Sequence, residues 1–299
     1  MPEIVGGFLP QDHLLTWDHI ARVVDVLSRA GVDKVRITGG EPLMRPGVDQ
    51  LIRRLSNLGR LRQIALTTNG MMLEEQIDGM VAAGLSHVNI SLDTLREPAF
   101  RQMARRDGLD RVLSGIDAAL RTGIQVRLNA LVLRDINLED CVPLVEFARD
   151  RGVVLRFIEF MPLDADRSWS ASQVVPGHEL RLRVEQAFGP LTPAASRDPS
   201  QPSQDFLFAD GVGGIGFIDP VSKPFCQNCN RLRLTADGKF RNCLFGQEEW
   251  DVKSLLVRGA EEDAIYALAR DCVLAKFASH GISDSGFTPP VRAMYQIGG

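Results

Sequence analysis

The chain has 299 residues, 44% hydrophobic and 24% charged, with a formal net charge of −4. That is the composition of a globular protein with enough residues for a large core or two domains, and it lacks the basic field that a nucleic-acid partner would require. No secretory-leader pattern and no apolar run of bilayer length is present, so the chain reads as cytoplasmic, with no membrane partner and five cysteines kept reduced for metal.

Residues 16 to 161 repeat one theme, an amphipathic helix followed by a short apolar strand. Thr16 is placed as an N-cap, Ile20, Val23, Val24 and Leu27 keep helical spacing, and Gly31 ends the helix. The strand KVRIT (34–38) comes next, then QIALTT (63–68), HVNISL (87–92), QVRLNALVL (125–133) and VLRFIEF (154–160), with Gly59, Gly84, Gly123 and Gly152 closing helices before four of them. Strands alternating with helices imply right-handed crossovers and a parallel sheet. A full or partial barrel of that kind places its chemistry at the carboxyl ends of the strands.

Polar residues collect at those ends: Gly39-Gly40-Glu41-Pro42, then Asn69-Gly70, Ser91 with Asp93, Arg127 with Asn129, and Arg156 with Glu159 and Met161. Each motif alone is weak, since Gly-Gly often only makes a turn. Five in succession, where core strands should be apolar, mark a candidate site. Cys141 falls in a predicted helix and reads as a core thiol.

The second half opens with a proline- and serine-rich loop, Thr192 to Gln204. DFLFADGVGGIGFIDP then predicts two strands packed near the cysteine-bearing stretch KPFCQNCNRLRLTADGKFRNC (223–243), and 250–258 and 261–277 read as helices. In that stretch Cys226, Cys229 and Cys243 are spaced Cys-x2-Cys-x13-Cys, and Asp237-Gly238 is a hairpin signal that brings the third thiol back to the Cys-x-x-Cys knuckle. Three readings stand: structural thiols, a zinc knuckle completed by Cys272 or His280, and a three-cysteine iron–sulfur cluster with one iron open to something else. Arg231 and Arg233, on one strand face just after the knuckle, suit a site that receives an anion.

TGGEPL, TTNG, NISLDTL, RFIEFMP, the CxxCNRLRLTxDGxxxxCL hairpin and the terminal Gly298-Gly299 together resemble the GTP 3′,8-cyclase family of molybdenum-cofactor biosynthesis, radical S-adenosylmethionine enzymes, over essentially the whole chain. The resemblance implies an α/β fold: a partial (β/α)6-type barrel over 1–165 lacking its first strand, then a C-terminal α+β region over 166–299 with the cysteine hairpin. It implies conversion of GTP to (8S)-3′,8-cyclo-7,8-dihydroguanosine 5′-triphosphate, in which a 5′-deoxyadenosyl radical takes the 3′ hydrogen and the ribose then attacks guanine C8. By the same resemblance Cys226, Cys229 and Cys243 hold a [4Fe–4S] cluster whose open iron takes the guanine edge. Gly40, Glu41, Ser91 and Met161 receive S-adenosylmethionine, and Lys34, Arg36, Thr67, Arg127, Arg231 and Arg233 line the GTP side. Arg156 and the tail glycines Gly298 and Gly299 act at the reacting centre. Arg127 stands where the family usually has lysine, which keeps the charge and changes the donor geometry. Implied partners are GTP, a low-potential electron donor, the downstream cyclic pyranopterin monophosphate synthase and a second copy in a homodimer.

The chain opens Met1-Pro2-Glu3, one residue past the point where the family places the last cysteine of its Cys-x3-Cys-x2-Cys motif. Neither Cys141 nor Cys272 has the spacing to replace that motif. A second cluster is therefore expected only in an upstream-extended chain, and the chain as given is expected to be inactive alone. The alternative from a different class is a fragment or pseudoenzyme that binds GTP and one [4Fe–4S] cluster without radical chemistry.

Overall fold

The computed structural model describes residues 9–163, 168–195, 198–282 and 286–297. Five strands, β1 (Lys34–Ile37), β2 (Gln63–Thr68), β3 (His87–Ser91), β4 (Gln125–Leu131) and β5 (Val154–Ile158), lie in chain order and pair in parallel. The connecting helices are α1 (Trp17–Arg29), α2 (Val48–Ser56), α3 (Leu73–Ala82), α4 (Glu97–Ala104), α5 (Leu109–Arg121) and α6 (Cys141–Asp150). Thr16 caps α1, its Oγ1 accepting from His19 N at 3.1 Å. After α7 (Gly177–Phe188), the strands β6 (Thr192–Pro193), β7 (Gln204–Leu207) and β8 (Gly214–Ile218) extend the same sheet, β8 parallel to β5 and the other two antiparallel.

The expected division near residue 165 is thus no break in the sheet. The DFLFADGVGGIGFIDP hairpin joins β5, and its last residue, Pro220, reaches the cysteine region by accepting from His280 Nε2. GIGFI is apolar enough to be buried on both faces, as a parallel strand requires.

The cysteine stretch forms a separate small sheet of β9 (Arg233–Leu234), β10 (Lys239–Arg241) and β11 (Trp250–Asp251), followed by α8 (Lys253–Val257), α9 (Glu262–Leu274) and the short α10 (Met294–Ile297). The helix expected from Trp250 starts three residues late, because Trp250 and Asp251 pair with Phe240 and Lys239 as a third strand. Two apolar cores result. The larger joins α2, α3, α5 and α6 to the sheet, and the smaller gathers Phe240, Val252, Ile265 and Cys272 against Leu15, Val23 and Val26. Helix α1 belongs to both, since Val24 faces the first and Val23 and Val26 the second. Among the described residues no helix is long and apolar enough to cross a membrane.

Candidate functional site

Strand alternation divides the main sheet into unlike faces. In β4, Val126, Leu128 and Ala130 are buried in the helix-facing core, leaving Arg127 and Asn129 on the other face. β5 buries Leu155 and Phe157 in that core and turns Arg156 inward, while β3 does the same with Val88 and Ile90 and frees His87, Asn89 and Ser91. Lys34 and Arg36 of β1, Thr67 of β2 and Gly216 of β8 complete the inner face by the same alternation. Buried parallel strands are usually apolar on both faces. This polar inner face therefore lines a cavity, and it runs the length of the strands, where only their carboxyl ends were expected to be polar.

Arg36, Arg127 and Arg156 converge there. On a flat sheet four strand spacings would hold β1 and β5 about 19 Å apart. Yet Arg156 is the largest charge acting on Arg36, followed by Arg127 and Arg231, so these long side chains approach one another over the inner face and make it a cationic trough. Loss of bulk solvation and these three cations push the Arg36 guanidinium down to about 10, although its side chain stays open to the solvent in the cavity. Burial and Arg156 also lower Arg127, and neither Arg36 nor Arg127 has a carboxylate at ion-pair distance among the described residues. Thr67 Oγ1 accepts from Asn89 Nδ2 at 3.3 Å, a polar floor between the two arginines.

Two of the expected GTP-side and catalytic cations do have carboxylate partners, both from segments near the end of the linker. Lys34 Nζ lies 2.5 Å from Asp198 Oδ2, and Arg156 Nη2 lies 2.8 Å from Asp205 Oδ2. Gly216 makes room for the second pair: a Cβ there would lie 2.5 Å from Asp205 Oδ1 and 3.1 Å from Arg156 Cγ. Asp205 is further held by Gln201 Nε2 at 2.6 Å and by Ser203 Oγ.

At the carboxyl end of β1, the Glu41 carboxylate fastens the Gly39-Gly40-Glu41-Pro42 loop to β2. It accepts from Leu43 N at 3.0 Å, Thr68 Oγ1 at 2.8 Å and Asn69 N at 2.8 Å. Gly40 is left exposed beside it, and Ser91, also exposed, pairs across the strands with Asn129. The Asn69-Gly70 turn needs its glycine, since φ is +80° and a Cβ would press on Ile90 and Val112. Met161 O accepts from Leu163 N at 2.8 Å beyond β5.

Over this trough sits the cysteine hairpin. Arg233 is pushed down to about 10 by burial and then by Arg231, with Arg36 also acting on it, which places hairpin and trough within reach of each other. Burial would raise the Cys229 thiol, but the Arg231 charge, its backbone N–H and its Nε (3.3 Å from Sγ), together with Lys276, bring it down to about 7. Cys243 Sγ accepts from Phe245 N at 3.4 Å. Cys226 is raised by burial and by the other two thiols, and its sulfur accepts the His280 backbone N–H. Donors aimed at three neighbouring sulfurs are the surroundings of thiolate ligands, so these residues fit an iron–sulfur cluster.

The zinc reading loses both of its fourth ligands. Cys272 is fully buried in the smaller apolar core, its thiol pushed up to about 12. The two His280 ring nitrogens are engaged, Nε2 with Pro220 O at 2.7 Å and Nδ1 with Ile282 N at 3.2 Å. Among the described residues no three Cys, His, Asp or Glu side chains are gathered to hold a single metal ion. Cys141 is buried and likewise pushed up to about 12, which makes it a core thiol, apart from the three of the hairpin.

Two tethers connect hairpin and trough. Glu159, 2% exposed just after β5, accepts from Val221 N at 2.8 Å, Ser222 N at 3.0 Å and Ser222 Oγ, which fixes the turn leading to Cys226. The C-terminal segment is held by Arg292, bonded to Asp237 at 2.9 Å and Glu249 at 2.6 Å, and by Met294 N donating to Leu163 O at 3.0 Å. Ile297 is buried there, and Gly298 and Gly299 lie outside the described residues. Sequence reasoning missed Asp198, Asp205, Lys276 and Arg292. Their partners are 47 to 164 residues away in the chain, a separation no local motif encodes.

Residues 4–148 match the Radical SAM superfamily and residues 153–282 match Molybdenum Cofactor Synthesis C. Among curated proteins the chain is 46% identical, over its full length and 84% of the relative, to the GTP 3′,8-cyclase of Rhodopirellula baltica. It is 40% identical to that of Rhodococcus opacus, covering 85% of the relative. Among solved structures, Streptococcus suis SuiB bound to S-adenosylmethionine superposes with a TM-score of 0.62 at 12% identity, over 85% of this chain and 61% of that one, a likeness of fold. With identities of 46% and 40% along its entire length, the chain belongs to the GTP 3′,8-cyclase family of the radical SAM superfamily.

Proposed function

We propose that this protein is a GTP 3′,8-cyclase catalysing the first step of molybdenum-cofactor biosynthesis, and that its trough is the GTP site. The observation that carries the reading is the row Arg36, Arg127, Arg156 with Arg231 and Arg233 above it: burial and neighbouring arginine charges lower Arg36, Arg127 and Arg233, the surroundings of a site that receives a polyanion. The triphosphate would be taken by Arg36 and Arg127, with Lys34 exchanging its bond to Asp198 for phosphate. Arg231 and Arg233 would orient the guanosine beneath Cys226, Cys229 and Cys243, which would hold a [4Fe–4S] cluster. In the family's chemistry S-adenosylmethionine on a cluster other than this one would supply the radical that removes the 3′ hydrogen, and the product would carry a new bond from ribose C3′ to guanine C8.

The residues of this chain act by placement. The fixed Gly40-Glu41 backbone offers carbonyl oxygens for the amino group of S-adenosylmethionine, while Ser91 and the Met161 backbone offer polar contacts for its ribose and adenine. Arg156, locked by Asp205, presents a cation of fixed position at the reacting centre. Gly298 and Gly299, which follow the docked 294–297 segment, would act at the same centre. The product would pass to the cyclic pyranopterin monophosphate synthase, with electrons from a low-potential donor. The alternative, a module that only binds GTP, is not favoured, because the match to enzymes runs the length of the chain.

The test is anaerobic reconstitution followed by iron and sulfide analysis and EPR with and without GTP. About four irons per chain held at these cysteines, lost in the C226S/C229S/C243S variant and with a GTP-dependent change in the spectrum, is the expected result. Iron retained in the triple variant would refute the assignment.

A further inference from the structure

Lys276 lies two residues past the end of α9, where a lysine ordinarily serves the last carbonyls of its own helix. Its Nζ instead reaches 47 residues back, to Cys229 O at 3.0 Å and Cys229 Sγ at 3.4 Å. The three sulfurs are served unequally as a result. Cys226 receives the His280 N–H and Cys243 the Phe245 N–H, whereas Cys229 receives the Arg231 N–H, Arg231 Nε and the Lys276 ammonium.

We propose that Lys276 is a positioning residue: it fixes the Cys229 thiolate through the paired contacts to Sγ and O, and its charge raises the reduction potential of the cluster that thiolate ligates. The proposal rests on the cluster assignment above. A thiolate that gives electron density to an ammonium donor gives less to its iron, and a nearby positive charge stabilises the reduced, more negative cluster; both effects raise the potential. The two contacts do separate work. The bond to the carbonyl orders the Cys-x-x-Cys knuckle, which an apolar side chain of similar length could partly preserve by packing. Only the ammonium acts on the potential. Arg231 shares the sulfur but also acts on Arg36 in the trough, whereas both of these contacts of the Lys276 ammonium end on Cys229 itself.

The test uses the full chain, reconstituted anaerobically, as wild type, Lys276→Met and Lys276→Arg, with iron and sulfide content measured beside an EPR-monitored redox titration and a far-ultraviolet circular dichroism spectrum. The expected result is a lower midpoint potential in Lys276→Met, equivalent to roughly a tenfold change in the one-electron equilibrium or about 59 mV, with most of the shift restored in Lys276→Arg. Loss of iron from Lys276→Met with the fold intact and iron kept in Lys276→Arg equally supports a charge that holds the thiolate. A fully loaded Lys276→Met with the wild-type potential overturns the proposal and leaves the cluster assignment standing. Absence of iron from the wild-type cysteines overturns both.

Discussion

Replacing Asp205 with asparagine tests whether the trough is built around a locked arginine. The Arg156 side chain is 9% exposed, Asp205 27%, and their nearest atoms are 2.8 Å apart. Removing one partner of a fully buried pair costs about 3–5 kcal/mol, because the other charge stays behind without compensation. Partial exposure of Asp205 lets water share that role, which brings the expected loss to about 2–3 kcal/mol. For a chain of this size each kcal/mol moves Tm by about 2 °C, so D205N should melt roughly 4–6 °C lower. Differential scanning calorimetry on wild type, D205N, R156M and the double variant measures it, and the two losses should overlap strongly in the double variant. GTP affinity by titration calorimetry should not fall in D205N, since the trough gains positive charge. A melting point within about 1 °C of wild type, or fully additive losses, would refute the lock.

The remaining predictions concern charge, pH and the tail. Arg36→Gln should weaken GTP binding about 10- to 100-fold, the usual worth of one charged hydrogen bond. The same change should leave Tm unchanged or higher, because it relieves the repulsion from Arg156, Arg127 and Arg231; calorimetry at two salt concentrations reads both effects. Burial holds the Asp93 and Asp219 carboxyls up at about 6 against an ordinary 3.8, with Glu159 adding to the effect on Asp219. The folded state thus keeps these protons to higher pH than the unfolded chain, and the stability they contribute falls as pH rises from about 4 to about 6. Asp93→Asn, which keeps an acceptor for Leu131 N, should flatten that slope in urea midpoints measured from pH 4 to 7. Ile297→Asp should expose the C-terminus to carboxypeptidase while changing Tm little, since Ile297 anchors the tail and belongs to neither main core.

The βα rhythm was legible because local chemistry carries it: Thr16 caps α1, and Gly59, Gly84, Gly123 and Gly152 adopt φ of +67°, +111°, +77° and +65° before their strands. Arg127, Asn129 and Arg156 stood out as polar groups near the carboxyl ends of strands that should be apolar, whereas Lys34, Arg36 and Thr67 were named only through the family resemblance. What the sequence concealed was pairing at a distance. The linker from Thr192 to Gln204 read as a loop by composition, yet its Asp198 supplies the carboxylate for Lys34, and Asp205 just after it the one for Arg156. Trp250-Asp251 looked helical because nothing local distinguishes a two-residue strand from a first helical turn; its partners on β10 decide. Lys276 sat in an apolar helical stretch whose last turn gave no sign of a contact with Cys229.

Strand β5 and the residues just beyond it bear on three centres within eight positions: Arg156 faces the trough, Glu159 fixes the turn into Cys226, and Leu163 receives the tail. One short segment thus sets the spacing between the substrate cation, the turn into the thiolates and the docked 294–297 segment, so a change in its length or path would shift all three at once.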